Sequence, residues 1–405
     1  RIQKITVQIY NTGIAIFSLF CEYPFDEDAI AEDGSQTALE SIKKINDFGR
    51  RIMVPFLAEG GCSIIADELS IYDAGKSEPR IFENFKKLSD FNNKESELRR
   101  NPSYISSIIL RILNDGCGDK DIFVTGEKCF KEQIQIRQAL DDRMFVCCHV
   151  EDKQLSDQSL AYDTIMNGNE QEKKENFTKN LYELLFVDGD GCTCQSGKMR
   201  EALLEKHIYK RWIEDGTLYG FTNQAFLSIK EPKEKTEFLR SNFLNMYVPL
   251  CTLALAQKAS AVKFQNEAAK LSVEAQKSSF GNKSIYSLMD LNERFIVFLN
   301  QLDLHEISSQ EQAIEMYDML RNTFQIEERN GNMLKQISCL NEASQTQLNL
   351  GFNKWAAIFA LFAILVSAIP MIVEHQRIEC GYYSGWAVAA ICGIGIIVFL
   401  FIYNI

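Results

Sequence analysis

Residues Trp355–Val373 read WAAIFALFAILVSAIPMIV, nineteen residues without a charged side chain. A second uncharged run of eighteen residues, Trp386–Tyr403, reads WAVAAICGIGIIVFLFIY. A helix rises about 1.5 Å per residue, so each run nearly spans a hydrocarbon core of about 30 Å. The twelve residues between them, Glu374–Gly385, hold the only charges of the region, one arginine and two glutamates. This pattern predicts a transmembrane helical hairpin with a short external turn.

Aromatic residues flank both runs, as they do where helices meet a membrane surface. Trp355 and Tyr403 would lie at one interface, and Tyr382, Tyr383 and Trp386 at the other. The alternative is a hairpin buried in a protein core, since an apolar helix is also compatible with burial by other helices. We favour the membrane hairpin because two such runs follow each other directly.

Cysteine usage and basic residues predict the orientation of the hairpin. The twelve cysteines form no CxxC pair, and such scattered thiols are typical of a reducing compartment. Arg329, Lys335 and Lys354 precede the first run, whereas Arg377 is the only basic residue of the turn. We therefore expect a multi-pass protein of the inner (cell) membrane with its N-terminal domain and its C-terminus in the cytoplasm.

The chain is acidic, with a formal net charge of −12 at pH 7. An acidic body argues against a broad nucleic-acid surface, so we expect no direct binding of nucleic acid. The chain begins at Arg1 and not at Met, so we expect that a further piece precedes it.

Three parts are predicted along the chain. Residues 1–235 alternate short apolar runs, helical patterns and turn signals, which is typical of an α/β domain with a mixed sheet. Residues 236–354 read as long stalk helices, with Pro249 as a bend and Gly331 as the weakest point of the last helix. Residues 355–405 form the hairpin. The predicted fold class is an α+β membrane protein in which the last stalk helix continues straight into the first span.

Small and polar residues recur at steps of three and four where the stalk meets the first run, while the flanks carry large side chains such as Phe352 and Phe359. A slim seam of this kind lets several copies of one helix approach a common axis. The seam predicts a homo-oligomeric pore whose lining residues are Asn349, Asn353, Ala356, Ala360, Ala363 and Ser367. The alternative is that these residues only allow the hairpin to pack tightly on itself.

No catalytic or metal-binding constellation is present, so neither an enzymatic activity nor a cofactor is expected. The sequence contains no GxSxG, HExxH or Walker loop. His149 lies beside two cysteines in an apolar run, which predicts a buried strand and not nucleophilic chemistry. Cys192 and Cys194 follow an acidic turn but lack the further ligands of a zinc or calcium site.

A small-ligand site is predicted in two segments, His207–Glu214 and Thr217–Ile229, which read as strands paired across the turn at Gly216. They offer a guanidinium for a phosphate group and aromatic rings for a stacked base. The candidate ligand-binding residues are Arg211, Trp212, Tyr219, Phe221 and Asn223. The alternative is an ordinary amphipathic hairpin.

The arrangement of an α/β domain, long alanine-rich helices and a C-terminal two-helix hairpin resembles the CorA family of divalent-cation channels. That family carries Gly-Met-Asn at the outer end of its first span, whereas Ile369–His375 reads IPMIVEH here. A similar string, Asn330–Met333, lies on the other side of the predicted span, so no selectivity residue is carried over. The resemblance implies a pentamer with a divalent cation as the permeant ion.

A narrower likeness is to the divergent CorA-like proteins that accompany type III CRISPR systems and lack this tripeptide. The chain shares with them a large N-terminal domain and the string Tyr-Gly-Phe-Thr, Tyr219–Thr222, followed by a long helix. This resemblance implies opening by a nucleotide second messenger, a conjugate of S-adenosylmethionine and AMP, and membrane permeabilisation as an antiviral outcome.

Three functional hypotheses follow. The first is a nucleotide-gated oligomeric channel that acts as a defence effector. The second is a magnesium or other divalent-cation transporter, against which the missing tripeptide counts. The third is a membrane-anchored scaffold or enzyme, which a monomeric state would favour because one hairpin cannot enclose a pore.

Overall fold

The computed structural model describes residues 1–23, 38–50, 68–72, 75–84, 105, 107–115, 121–124, 132–140, 143–188, 191–233, 237–278, 282–304 and 307–379. The strands in these ranges are β1 (Ile2–Ile9), β2 (Ala15–Cys21), β3 (Glu68–Tyr72), β4 (Pro79–Asn84), β5 (Phe123–Val124), β6 (Ile134–Gln135), β7 (Val146–Glu151), β8 (Ile208–Tyr209), β9 (Leu218–Phe221) and β10 (Ala225–Lys230). The shorter helices are α1 (Ala38–Arg50), α2 (Ser107–Asn114), α3 (Lys153–Leu160), α4 (Tyr162–Asn167), α5 (Gln171–Phe186), α6 (Gly197–His207) and α7 (Glu237–Asn242). The longer ones are α8 (Val248–Ser278), α9 (Asn282–Gln301), α10 (Glu311–Phe324) and α11 (Ile326–Glu379).

A four-stranded mixed sheet with the order β7-β10-β9-β8 lies at the centre of the α/β part. Strand β10 pairs in parallel with β7 and antiparallel with β9. All six residues of β10 are buried, as is typical of a strand covered on both faces. The parallel pair needs a crossover connection, and helices α3, α4, α5 and α6 lie within it. The mixed sheet that the sequence predicts is therefore present.

Helices cover both faces of this sheet. On one face Val150, Leu218 and Leu227 pack in a cluster with leucines of α3, α5 and α6. On the other face aromatic residues of β9 and β10 pack against α8 and α10. Because side chains alternate between faces along a strand, the two clusters share the strands but not the residues. The result is a helix–sheet–helix sandwich.

The chain divides into two compact units. The first consists of residues 1–266 and 293–333 and contains the whole four-stranded sheet. The second consists of residues 267–292 and 334–405, and its described part is helical.

The predicted pairing of the two segments across Gly216 is confirmed, since β8 pairs antiparallel with β9, but the lengths of the strands differ from the prediction. Strand β8 has only two residues, and a 3₁₀ turn at Ile213–Asp215 precedes Gly216. The segment Thr217–Ile229 is itself a hairpin of β9 and β10. The Thr222 hydroxyl closes the turn of this hairpin by accepting the backbone N–H of Ala225 at 3.0 Å, a local bond that the apolar pattern does not reveal.

Pro249 lies at the start of helix α8 and does not bend its interior. A π-helical turn, Phe243–Tyr247, precedes α8, and the Val248 N–H bonds to the Phe243 carbonyl across it. Proline is tolerated in the first turn of a helix because its missing N–H has no helical partner there.

The last two helices separate at Gln325 and not at Gly331. Gln325 has a left-handed backbone (φ 55°), and its N–H bonds to the carbonyls of Arg321 and Asn322. Phe324 and Ile326 on either side are fully buried in one core cluster, which fixes the turn at this point. A glycine inside a helix costs only about 1 kcal/mol relative to alanine, so α11 continues through Gly331. The prediction that one helix runs without interruption into residues 355–373 is confirmed.

The predicted transmembrane hairpin is wrong. Among the helices of the described ranges, none combines the length and the apolar character needed to cross a bilayer. Side chains of the first apolar run are described from Trp355 to Ala363. The second run, 386–403, lies outside the described residues.

This finding corrects the membrane fold class, the ion-channel assignment and the inner-membrane localisation together. The transporter and membrane-anchor alternatives depended on the same spans. The physical reason is that an apolar composition shows that a segment avoids water but does not show what covers it.

Candidate functional site

The five predicted ligand residues do not form one open pocket. Tyr219 and Phe221 lie in β9 with only 1% of their surface exposed, and Phe221 stacks on Phe226 with ring centroids 4.7 Å apart. Asn223 lies in the next turn, where its side-chain oxygen accepts a hydrogen bond from Lys258 at 3.3 Å. The two aromatic rings are therefore part of the core and do not offer a stacking surface in this conformation.

Arg211 and Trp212, in contrast, lie together at the surface and contact helix α10. Arg211 Nη1 is 2.7 Å from Glu315 Oε1. Trp212 Nε1 donates a hydrogen bond to Gln312 Oε1 at 3.0 Å. Tyr209, at the end of β8, donates its hydroxyl hydrogen to Glu315 Oε2. We call this set of five residues the β8–α10 contact.

Electrostatics favour the ionised form of Glu315 in this contact. The hydrogen bond from Tyr209 and the guanidinium of Arg211 hold the pKa of the Glu315 carboxyl below its usual range. The same bond to Glu315 raises the pKa of the Arg211 guanidinium. Gln312 also donates to the Tyr247 hydroxyl at 2.7 Å, so the contact extends to the π-helical turn. The β8–α10 contact thus links the sheet edge, α10 and the start of α8.

The turn that carries Arg211 and Trp212 is held in place by helix α3. Gly216 has a left-handed backbone (φ 68°), which favours glycine, and its carbonyl accepts the Ser156 hydroxyl at 2.9 Å. Leu155, beside Ser156, is buried in the core cluster on that side of the sheet. The contact residues are therefore presented by a turn anchored to helix α3.

A second polar cluster, which the sequence analysis did not find, lies at the carboxyl ends of the parallel strands. The register pairs His149 with Ser228 and Glu151 with Lys230. His149 Nδ1 is 3.0 Å from the Ser228 hydroxyl, and His149 Nε2 is 3.4 Å from Glu151 Oε1. Lys230 Nζ is 3.2 Å from the same carboxylate oxygen. The predicted strand around His149 is confirmed, although most of its residues are only partly buried, and the partners of His149 come from a strand about 80 residues away.

Burial controls the charge state of this cluster. Desolvation lowers the pKa of His149 to about 4, although Glu151 opposes the shift, so the imidazole is neutral at pH 7. The Phe243 ring covers the imidazole at a centroid distance of 5.0 Å, and Ser228 is 1% exposed. A serine, histidine and carboxylate in this order suit proton relay, but the cover separates the hydroxyl from any substrate in this conformation.

A third polar network holds the junction of α10 and α11. Arg321, 3% exposed, is 2.7 Å from Asp303 Oδ1. Asn330 of α11 donates to the other Asp303 oxygen at 2.8 Å. Gln257 of α8 bonds to the Tyr317 hydroxyl at 2.7 Å. These contacts join α8, α10, the end of α9 and the first turns of α11.

The predicted pore-lining positions lie along α11. Asn349, Asn353, Ala356, Ala360 and Ala363 are all exposed on this helix. The side chain of Ser367 lies outside the described part. The large flanking residues are exposed as well, with Phe352 at 75% and Phe359 at 62%.

The cysteine-containing loop after α5 is held by an arginine. Arg200 Nη1 donates to the Cys194 carbonyl at 3.0 Å and lies 3.8 Å from Cys192 Sγ. Within the described ranges, no group of three or more metal-ligating side chains comes together.

Comparisons with known proteins assign no family to this chain. No protein-family model matches it, and no curated protein matches its sequence.

Proposed function

We propose that the protein is a nucleotide-controlled effector that self-associates through the middle of α11. The observation that carries the proposal is the exposed apolar surface of this helix between Leu348 and Phe362, which we call the apolar segment. Its large exposed side chains are Leu348, Leu350, Phe352, Trp355, Phe359, Leu361 and Phe362.

The apolar segment has the composition of a contact surface. Its large side chains are 41–75% exposed, whereas soluble monomers rarely expose apolar patches above a few hundred Å². The alanines at 356, 360 and 363 recur at helical spacing and permit close approach of neighbouring helices. Copies of the same segment are the cover that this pattern favours, because most oligomers are built from identical chains.

The nucleotide part of the proposal rests on the sequence resemblance and on two accessible residues. The Arg211 side chain is 39% exposed and Trp212 is 42% exposed, so a phosphate group and a base have access to them. Tyr219 and Phe221 are excluded from direct contact in this conformation by their burial. The ligand class is the S-adenosylmethionine–AMP conjugate, and the biological role is antiviral defence.

Self-association is tested by measuring the mass of the full-length protein with native mass spectrometry and light scattering. Phe359→Glu places a charge in the apolar segment and is expected to convert the oligomer to monomer. Phe238→Glu on α7 is the matched control, since this phenylalanine is 59% exposed but lies outside the segment. A monomeric wild-type protein, or an unchanged mass in Phe359→Glu, contradicts the proposal.

Ligand binding is tested separately by calorimetry with the S-adenosylmethionine–AMP conjugate. Arg211→Gln is expected to weaken binding at least about tenfold, because a charge-assisted contact to phosphate is worth roughly 1.5–3 kcal/mol. Lys206→Gln removes the same charge from an exposed position on α6 and is expected to bind like the wild type. Equal affinity of the wild type and Arg211→Gln excludes this site.

A further inference from the structure

Three hydrogen-bond donors from four consecutive positions converge on one face of helix α10. They are the Tyr209 hydroxyl, the Arg211 guanidinium and the Trp212 ring N–H. Their acceptors, Gln312 and Glu315, are three residues apart and so lie on the same side of α10. The β8–α10 contact is therefore a set of donors from one element facing acceptors from another.

Glu315 occupies the position that an external oxyanion would take. One carboxylate oxygen lies 2.7 Å from Arg211 Nη1, and the other accepts the hydroxyl of Tyr209. A phosphate group presents a similar pair of oxygens to a guanidinium and a neighbouring donor. The Arg211 and Glu315 side chains are 39% and 42% exposed, so a dissolved anion reaches the contact without unfolding of the core.

We infer that Glu315 is an internal counter-ion that a phosphate group displaces, and that this displacement frees α10 from the sheet edge. Tyr209, Arg211 and Trp212 then hold the phosphate in place of the carboxylate. This inference rests on the proposed ligand site at Arg211 but not on self-association. It adds that the site is closed by the chain's own carboxylate when no ligand is bound.

Replacement of Glu315 by a phosphate group is favoured because the ion pair between Arg211 and Glu315 is weak. A half-exposed pair is screened by water and salt, so a ligand that adds further contacts competes with it. Helix α10 stays attached elsewhere, since Met316, Tyr317 and Leu320 are buried in the core. Displacement of Glu315 therefore loosens one face of α10 without detaching the helix.

The test is hydrogen–deuterium exchange of the peptide 311–324 in the full-length protein, with inorganic phosphate or chloride at equal ionic strength. Phosphate is expected to speed exchange of this peptide in the wild type about twofold to fivefold, the range that a surface ion pair permits. Glu315→Gln is expected to show the faster exchange without phosphate and no further response. Glu311→Gln, an exposed carboxylate one turn earlier on α10, should respond like the wild type.

Two results of the comparison with inorganic phosphate overturn the inference. Slow exchange in Glu315→Gln means that the carboxylate does not hold α10. If phosphate does not change the exchange rate of the wild type while Glu315→Gln exchanges faster, the carboxylate holds α10 but is not displaced by this anion.

Adenosine and AMP form the remaining arms of the experiment. A response to AMP at lower concentration than to inorganic phosphate identifies a nucleotide as the source of the phosphate group. A response at equal concentrations of AMP and inorganic phosphate identifies free phosphate as the source. Both outcomes support the displacement of Glu315. A response to adenosine, which carries no phosphate, refutes it. The mass measurement on Phe359→Glu is independent of this experiment. The exchange rates can therefore be interpreted even if the protein does not self-associate.

Discussion

Removing the charge of Asp303 should destabilise the first compact unit by about 3 kcal/mol. Asp303→Asn preserves the shape of the side chain but leaves the buried Arg321 without its counter-charge. In the structure the Asp303 side chain is 10% exposed and that of Arg321 is 3% exposed, with 2.7 Å between the interacting atoms. Breaking a buried ion pair by removing one partner typically costs about 3–5 kcal/mol, because the remaining charge is not solvated.

Two neighbours reduce that cost toward the lower end of the range. The Leu304 carbonyl lies 3.3 Å from Arg321 Nη1 and continues to accept a hydrogen bond. Glu327 lies 3.7 Å from Arg321 Nη2, but its side chain is 70% exposed, so it stabilises the guanidinium only weakly. The new amide has a single oxygen, which accepts from Arg321, so the Asn330 amide turns over and accepts a hydrogen bond from the new NH2 group through its own Oδ1. We therefore expect about 3 kcal/mol and not 5.

Urea unfolding followed by far-ultraviolet circular dichroism measures this change, and hydrogen exchange of peptides from α10 and α11 shows where it acts. The control is Asp318→Asn on α10, which removes an exposed carboxylate and should change the unfolding free energy by less than about 0.5 kcal/mol. The double variant Asp303→Leu, Arg321→Met replaces both charges by apolar groups and should recover at least about 2 kcal/mol of the loss. A loss below about 1 kcal/mol in Asp303→Asn, or strictly additive single losses, refutes this account of the junction.

Two further predictions concern the sheet. The pKa of His149 is lowered from 6.5 to about 4 by burial, so the unfolded chain binds the proton more readily and acid favours unfolding. Stability should fall by about 3 kcal/mol between pH 6.5 and pH 4 in the wild type, and His149→Gln should remove that part of the pH dependence of the urea midpoint. Gly220→Ala should destabilise by about 1–3 kcal/mol, because the added carbon would lie 2.5 Å from Leu185 Cδ1 in a packed core. Thermal unfolding checks this loss, and an unchanged midpoint would show that Leu185 shifts freely.

Local sequence patterns predicted the helices and strands better than they predicted what packs against them. The continuity of α11 was readable because helix-forming residues dominate its sequence and Gly331 is an isolated interruption. Its break at Gln325 was not readable, since it depends on the burial of Phe324 and Ile326 against distant residues. The apolar run after Trp355 was read as a membrane span because hydropathy reports avoidance of water and not the identity of the cover.

The candidate site shows the same limit. Period-two alternation places Tyr219 and Phe221 on one face of a strand, which the structure has. Whether that face meets a ligand or a helix is decided by the packing of α8 and α10, which no local pattern encodes. The contact of His149 with Ser228 likewise requires the parallel pairing of β7 and β10. Arg211 and Trp212 in the turn after β8, and Asn223 in the turn after β9, lie at the surface, where a ligand site requires them.

The contacts of α10 differ in strength along the helix, and this difference determines how a displaced Glu315 would act. Near its N-terminal end α10 is held to the sheet edge by half-exposed hydrogen bonds and one surface ion pair. Near its C-terminal end it is held by the buried Arg321–Asp303 pair and by Phe324. Surface contacts of this kind contribute about 0.2–1 kcal/mol, whereas loss of the buried pair costs several times more. A ligand at Arg211 would therefore loosen the N-terminal half of α10 before it disturbed the junction with α11. This local loosening requires the network at Asp303 to stay intact, so Asp303→Asn should reduce the response of peptide 311–324 to phosphate while leaving phosphate binding at Arg211 unchanged.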